Sequence, residues 1–401
     1  MNLNELSESL GITKELDEKM YTAYSKIKDK TILFERDYLL RLQDEYAVFD
    51  DEIFCALLLS YDDLFQKKDL MKWALLLKQV LLDWNNEDEL YGTPVPERDG
   101  SLARDMIALF PLISLFESAL SKYESCGFSR NEALCELRAL NKCISRDADG
   151  RIYFSSSLFG WCAIYISALI FRYGALNFEV SRVFDSVRLL ENKISGERIL
   201  VMSDGSFHRS GLCLCSAGLS DDNEGSFSAD FEENANEYIG YVAKNGYVIP
   251  ERKSFSKCEW ESVLAKGDRI ISLHIPRGVD VSRESVMKTV GEGMRIVRER
   301  YGDDIRFAYC RSWLLSPNLS DCLSPASKIT EFSDCFERYP IVSNGKELMP
   351  FLFGKSPENY TELPTDTSLQ RRAKEIYLNG GFVYAGAGII AEKDFYILQN
   401  E

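Results

Sequence analysis

The stretch RIISLHIPRG, residues 269–278, contains His274, one of only two histidines among the 401 residues. An imidazole titrates near neutral pH and can move a proton there, so His274 is a candidate general base. In a strand with strict alternation, Leu273 and Ile275 share one face, and His274 points to the other. That other face must then hold a polar partner, a ligand or solvent. A structural histidine, bonded to neighbouring backbone, is the alternative.

The letters that follow, PRGVDVSRESV, predict a turn that leads into a helix. The start of a helix has backbone N–H groups without helical partners and the positive end of the helix dipole, so it attracts anions. Gly278 would let the backbone approach an anion, and Arg277 and Arg283 add positive charge. Ser282 is the expected N-cap. An ordinary strand-to-helix connection is the alternative. The candidate phosphate-binding residues are Pro276, Arg277, Gly278, Ser282 and Arg283.

A second cluster, YCRSWLLSP at residues 309–317, is expected on a neighbouring strand. Alternation places Tyr309 and Arg311 on one face, and Cys310 and Ser312 on the other. A cysteine or serine beside His274 would form a nucleophile–base pair, as in a Cys–His hydrolase. No acid that would orient such a pair is evident in the sequence.

The net charge of −16 argues against nucleic-acid binding, since a phosphate backbone requires a basic face. Eleven scattered cysteines and an N-terminus without an apolar signal-peptide core indicate reduced thiols in a cytoplasmic protein. Cys213 and Cys215 are expected to alternate along a strand. With two histidines and no Cys-x-x-Cys, no metal site is expected.

The segment at residues 152–171, IYFSSSLFGWCAIYISALIF, has no charged residue and lies between Arg151 and Arg172. Its length would allow it to cross a membrane. Four serines and a glycine within it, and the absence of a second such segment, favour a helix buried inside a soluble protein. We therefore expect no membrane interaction.

The candidate residues all lie after a change in the character of the chain. Apolar residues recur at helical spacing in the first part, whereas short strands and turns prevail afterwards. This pattern predicts an α/β (α+β) protein, with a helical domain at residues 1–169 and a domain around one central mixed sheet at residues 170–401. Within the second domain, residues 228–249 are read as a helix closed by Gly246. A long helix is expected after Ser282, and the letters MPFLFG are read as a strand.

Several motifs, in order, resemble those of a bacterial acyltransferase-like family. They are YGALNFE, WESVLAKGDRIISLHIP, YCRSWLLSPNLSDCLSPASKITEF and LPTDTSLQRRAKEIYLNGG, and the resemblance covers roughly residues 110–395. That family joins a helical N-terminal N-acyltransferase domain to a GNAT-like C-terminal domain. The chain departs from its pattern in RGVDVS, which has one glycine where the usual pyrophosphate signature has two small residues. It also has Lys328 where asparagine is expected.

The resemblance implies an acyl-CoA-dependent N-acyltransferase that moves an acyl group from CoA to an amine. It implies acyl-CoA as a co-substrate without a tightly bound cofactor, and a small-molecule amine or peptide as acceptor. The pyrophosphate would lie at the turn of residues 276–282. His274 would be the base, and Ser312 or Tyr309 would hold or protonate the leaving thiolate. The helical domain would cover or complete the acceptor site. The alternatives are a non-catalytic GNAT-like ligand-binding protein and the Cys–His hydrolase.

Overall fold

The structure is a computed structural model that describes residues 1–27, 32–85, 90, 92–219, 225–320, 322–354, 359–391 and 394. The chain divides into two compact units, Met1–Phe171 and Arg172–Glu401. The boundary expected from the sequence falls two residues before this division. Helices dominate the first unit and a mixed sheet the second, so the predicted fold class is confirmed.

The first unit is built from short and medium helices whose apolar faces are buried within it. Ser129 begins one of them with the expected capping box, since its side chain accepts the N–H of Glu132 and the Glu132 carboxylate accepts the N–H of Ser129. The helices are α1 (Leu3–Ser9), α2 (Glu18–Ser25), α3 (Arg36–Tyr46), α4 (Asp51–Gln66), α5 (Lys68–Asp83), α6 (Leu102–Met106), α7 (Leu109–Ile113), α8 (Phe116–Ser125), α9 (Arg130–Leu137), α10 (Ala139–Lys142) and α11 (Phe159–Ile166).

The uncharged segment at residues 152–171 is not one long helix. Its first residues form β2 (Ile152–Phe154), which pairs antiparallel with β1 (Ile144–Arg146), and its last residues begin β3 (Ile170–Tyr173). The hairpin forms because the Asp147 side chain accepts two backbone N–H groups of the intervening turn. Within the segment, only a short 3-10 helix (Ser156–Leu158) and α11 are helical. In the described part of the chain, no helix has both the length and the apolar character needed to cross a membrane.

The second unit contains two six-stranded sheets. Its strands after β3 are β4 (Leu176–Arg182), β5 (Val187–Asn192), β6 (Arg198–Met202), β7 (Asp204–Phe207), β8 (Phe227–Asp230), β9 (Glu232–Glu233), β10 (Glu237–Lys244), β11 (Tyr247–Ser256), β12 (Trp260–Leu264), β13 (Arg269–His274), β14 (Phe307–Ser312), β15 (Glu337–Pro340) and β16 (Gly386–Ala391). Its helices are α12 (Arg283–Tyr301), α13 (Pro317–Ser320), α14 (Lys328–Ser333), α15 (Met349–Phe353) and α16 (Ser368–Leu378).

The main sheet has the strand order β15-β16-β14-β13-β4-β3. Strands β13 and β14 are parallel, whereas β13 is antiparallel to β4 and β14 is antiparallel to β16. The second sheet, β11-β10-β6-β5-β12 with β9 beside β10, is antiparallel throughout. One apolar cluster joins the two sheets, with Leu189 and Leu200 from the second sheet and Ile270 and Ile389 from the main sheet.

The second sheet corrects the expectation of one central sheet, because residues 228–249 are not helical. They form β8, β9, β10 and the start of β11. Asn245 and Gly246 both have positive φ, 53° and 86°, which is the conformation of a two-residue hairpin turn between β10 and β11. In β10, Tyr238, Gly240 and Val242 are buried, and the residues between them, Ile239 and Tyr241, are partly exposed. The period of two, and not the helical period, therefore decides this segment.

The helix after the candidate turn is confirmed, with Ser282 in extended conformation at its N-cap and Gly302 after its last residue. Its Gly293 packs directly on the ring of Phe178 in β4, where a Cβ atom would overlap the ring. The small residue thus sets how closely α12 lies against the main sheet. Gly386 in β16 likewise permits a close approach, here of the backbone at Leu315, since a Cβ at residue 386 would overlap the carbonyl oxygen of Leu315.

Two smaller expectations are wrong. The letters MPFLFG form helix α15 with Pro350 in its first turn, and Gly354 ends it with φ 76°. Cys213 and Cys215 lie in a turn-rich segment outside the named strands, where Cys213 forms an isolated bridge to Phe207.

Candidate functional site

The parallel strands β13 and β14 separate toward their carboxyl ends. They pair at Ile271–Ala308 and Ser272–Tyr309, and no later pair between them is found among the described residues. Both strands nevertheless continue beyond these pairs, β13 to His274 and β14 to Ser312. The backbone edge of each strand that faces the other is therefore open past Ser272 and Tyr309.

A cavity of about 630 Å³ lies at these strand ends, within the second unit. Most of its lining is apolar, and its charged or titratable residues are His274, Arg277, Cys310, Arg311 and Glu347. The lining residues are Leu273, His274, Ile275, Pro276, Arg277, Gly278, Val279, Val281, Cys310, Arg311, Ser312, Trp313, Leu314, Ile329, Ile341, Val342, Glu347, Phe351 and Ala385.

His274 lines this cavity, and its imidazole ring pairs with the carboxylate of Glu179. Its Nε2 lies 2.5 Å from Oε2 of Glu179. The register of β4 with β13 pairs Glu179 with Ser272, two residues before His274, so both side chains are on the same face of the sheet. The Glu179 side chain is 11% exposed and that of His274 is 32% exposed. The face opposite Leu273 thus holds the polar partner that strand alternation requires.

The His274–Glu179 pair has the geometry of an oriented base. When Nε2–H donates to the carboxylate, Nδ1 carries the lone pair of the imidazole. The same carboxylate stabilises the imidazolium that forms when the ring takes up a proton. Glu179 was missed in the sequence, although a glutamate between the apolar residues Phe178 and Val180 was a signal.

The turn after β13 contributes Pro276, Arg277 and Gly278 to the cavity wall. Gly278 has φ 81°, and no atom lies within 4 Å of where its Cβ would be. The turn therefore requires glycine for its backbone conformation and leaves open space above it. Ser282 and Arg283 lie outside the lining, at the start of α12.

Asp280 accepts hydrogen bonds from Ser282, one of the residues that the sequence predicts to bind an anion. The Ser282 hydroxyl donates to Oδ2 of Asp280 at 2.9 Å, and the Ser282 N–H donates to Oδ1 at 3.2 Å. Lys328 donates to the same carboxylate at 2.8 Å, and this hydrogen bond is the main cause that lowers the pKa of Asp280 to about 2. A phosphate at this helix start would have to share it with Asp280 or displace that side chain.

The two residues considered for the leaving thiolate have different surroundings. Ser312 lines the cavity, and its Oγ accepts the N–H of Leu314 at 3.1 Å. Tyr309 is outside the lining, and its hydroxyl donates to Oδ2 of Asp185 at 2.6 Å, as that of Tyr339 does at 2.8 Å. Burial is the main cause that raises the pKa of Tyr309 well above its ordinary range. The structure thus brings Ser312, and not Tyr309, to the cavity that His274 lines.

Cys310 is a poor nucleophile in this setting. The residue is 1% exposed, and burial raises the pKa of its thiol to about 12. A cysteine acts as a nucleophile through its thiolate, which is scarce at neutral pH when the pKa is so high. The geometry therefore does not favour the Cys–His hydrolase.

We expect Cys310 to resist alkylation in the folded protein. Iodoacetamide at mildly alkaline pH should label it about a thousandfold more slowly than an unperturbed thiol, because the thiolate fraction is lowered. Exposed Cys55 and Cys258 serve as internal controls. Peptide mass spectrometry after a short pulse measures all three. Rapid labelling of Cys310 would restore the hydrolase hypothesis.

No group of three or more His, Cys, Asp or Glu side chains is placed to hold a metal ion within the part of the chain that the structure describes. Two titratable residues of the cavity, His274 and Glu347, form hydrogen bonds with Glu179 and Ser343.

Comparisons with known proteins agree with this architecture. The sequence model of the family described as GNAT-like C-terminal domain matches residues 170–390, more than half of the chain. Among solved structures, an acyltransferase variant in complex with octanoyl-CoA is similar over 98% of this chain and 99% of its own, with 12% identity and a TM-score of 0.63. An acyltransferase in complex with decanoyl-CoA and teicoplanin is similar over the same shares, with 13% identity and a TM-score of 0.62. No relative was found among curated proteins.

Proposed function

Because the chain belongs to the GNAT-like C-terminal domain family, we propose that it is an acyl-CoA-dependent N-acyltransferase. The observation that carries this proposal is the separation of β13 and β14 around a cavity that the His274–Glu179 pair lines. An oriented base beside an apolar cavity and an anion-attracting turn meets the needs of transfer from a thioester to an amine.

The donor is proposed to bind with its acyl chain against the apolar wall. Residues such as Leu273, Ile329 and Ile341 supply this wall. The phosphates of CoA would lie toward the turn, where Arg277 supplies positive charge and Gly278 leaves the backbone accessible. The similar structures that hold octanoyl-CoA and decanoyl-CoA support a donor of this class.

In the proposed reaction, the amine nitrogen of the acceptor attacks the thioester carbonyl carbon of the donor. A C–N bond forms, the C–S bond breaks, and the electron pair of the C–S bond leaves on the CoA sulfur. The proton lost by the amine passes to Nδ1 of His274, and Glu179 stabilises the resulting imidazolium. The products are an amide and CoA, whose sulfur takes up a proton.

The leaving thiolate is proposed to receive a hydrogen bond from the Ser312 hydroxyl, which lines the same cavity as His274. The Tyr309 phenol donates to Asp185 and lies outside the lining, so its proposed part is to fix β14 in place. Ser282 and Arg283 are proposed to contact the phosphates of CoA at the start of α12.

The acceptor is proposed to be a primary amine on a small molecule or peptide. The similar structure that contains both decanoyl-CoA and teicoplanin supports an acceptor of this kind. A cytoplasmic location stays a prediction from the scattered cysteines.

The experiment that tests this function measures amide formation. The protein is incubated with acetyl-, octanoyl- or decanoyl-CoA and a panel of primary amines, and CoA and amide are quantified by mass spectrometry. We expect equal amounts of both products with at least one donor and amine. If none of the three CoA esters binds in a parallel calorimetric titration, the proposal is wrong.

Asp280 provides a further prediction about the donor. Asp280→Asn removes a negative charge beside the proposed phosphate position, so octanoyl-CoA should bind about two- to fivefold more tightly. Asp304→Asn is the matched control, because Asp304 pairs with Arg269 at the opposite end of β13. Calorimetry measures both variants. Weaker binding by Asp280→Asn would place the phosphates away from this turn.

A further inference from the structure

Glu347 contributes a carboxylate to the cavity from the loop between β15 and α15. Its Oε2 accepts the Ser343 hydroxyl at 2.8 Å, and its Oε1 accepts the N–H of Asn344 at 2.8 Å. Both donors are neutral. Within the described ranges, no lysine, arginine or histidine forms an ion pair with it. The carboxylate is thus held in place while its negative charge has no counter-ion there.

Ser343 makes the position of this carboxylate rigid. Ser343 is 1% exposed, and its hydroxyl accepts the N–H groups of Gly345 and Ala385 while it donates to Glu347. Its own N–H donates to Ser216. A side chain fixed in this way forms a preorganised site, which binds a ligand without first losing conformational freedom.

The rest of the lining makes Glu347 the one carboxylate among the described residues of the cavity. Arg277 and Arg311 carry the positive charges of the lining, and apolar side chains supply most of the remaining surface. A partly apolar environment strengthens the attraction between opposite charges relative to bulk water. Trp313 and Phe351, whose ring centroids are 6.4 Å apart, also line the cavity, and the face of an aromatic ring attracts a cation.

We propose that Glu347 binds the acceptor as an ammonium ion carried on an apolar group. This specificity-determining role rests on the proposed N-acyltransferase function. An alkyl ammonium ion complements a carboxylate, two aromatic rings and an apolar wall at once. The ammonium ion first releases one proton to solvent, because only the neutral amine is a nucleophile, and the second proton passes to Nδ1 of His274 as the nitrogen attacks. The amide product is uncharged, so Glu347 no longer attracts it. The product therefore dissociates, and a new ammonium ion takes its place.

The test compares two probes of almost equal size, n-hexylamine and 1-hexanol, of which only the amine is charged at neutral pH. Saturation-transfer NMR titrations give the Kd of each probe. The wild-type protein should bind n-hexylamine about tenfold or more tightly than 1-hexanol. Glu347→Gln keeps an acceptor oxygen for the neighbouring donors but removes the charge, so both probes should bind it about equally. Glu261→Gln, an exposed carboxylate of β12, is the matched control and should behave as wild type.

A calorimetric titration of each variant with octanoyl-CoA separates this inference from the function on which it rests. Glu347→Gln should bind octanoyl-CoA as the wild type does, which also shows that the variant is folded. If octanoyl-CoA binds and the wild type shows no preference for n-hexylamine, the role of Glu347 is wrong while the proposed function stands. An unchanged preference in Glu347→Gln overturns the role equally. If none of acetyl-, octanoyl- and decanoyl-CoA binds to the wild type, the proposed function itself is wrong.

Discussion

Replacement of His274 by alanine is expected to lower kcat for transfer from octanoyl-CoA about 10²- to 10⁴-fold, the usual contribution of a general base. The Kd of octanoyl-CoA should stay within about twofold of wild type, because the turn and Arg277 supply the proposed phosphate contacts. The imidazole is assigned to proton transfer, and its loss leaves the cavity wall and the turn in place. Steady-state kinetics and calorimetry measure the two quantities separately.

The matched control for this variant is His208→Ala. His208 is the other histidine of the chain, and its ring lies beside the Ser210 hydroxyl, outside the cavity lining. Its loss should leave kcat unchanged. If His274→Ala turns over at the wild-type rate, His274 is not the base. If the variant loses octanoyl-CoA binding together with turnover, the residue holds the donor instead.

Substitution of Gly293 by alanine is expected to have the largest effect on stability. The added Cβ would overlap the ring of Phe178, which is fully buried in β4. Overpacking of this kind lowers the free energy of unfolding by about 1–3 kcal/mol. Because Phe178 precedes Glu179 in β4, the shift should also disturb the partner of His274 and lower kcat. Urea denaturation measures the loss of stability.

Two variants make this prediction specific. Lys288→Ala lies on the exposed side of α12 and should leave the free energy of unfolding almost unchanged. Phe178→Leu creates space at the ring, so the double variant with Gly293→Ala should be more stable than the sum of the single effects indicates. Strict additivity would mean that α12 does not rest on Phe178, and a stable Gly293→Ala variant would contradict the close approach of helix and sheet.

The parts of the fold that the sequence predicts are those whose signals are local. Helix α12 has an N-cap at Ser282, a helical apolar period and Gly302 after its end, all within one segment. The hairpin of β10 and β11 was missed because Ile239 and Tyr241, on the less buried face of β10, are also apolar, so the residue types do not alternate. The turn at Asn245 and Gly246 was the available signal. Strands β10 and β11 belong to the second sheet, so the wrong prediction for this segment meant that the second sheet was not predicted.

The same distinction applies to the candidate site. His274 and the turn with Gly278 are contiguous, so residue types and spacing suffice to find them. Glu179 reaches His274 from 95 residues away along the chain, through the register of β4 with β13. The Tyr309 hydroxyl likewise donates to Asp185, which lies 124 residues earlier in the chain. Contacts of this kind depend on strand order and register, which residue types do not specify when no alignment shows which positions vary together.

The central claim, that acyl-CoA occupies the cavity at the ends of β13 and β14, is tested most directly by hydrogen–deuterium exchange with and without saturating octanoyl-CoA. We predict slower amide exchange in two segments, residues 273–286 and residues 310–315, because these contain the turn, the start of α12 and the open edge of β14. Peptides from β10 and β11 should exchange as before. Unchanged exchange in both segments, or protection confined to other parts of the chain, would contradict the account.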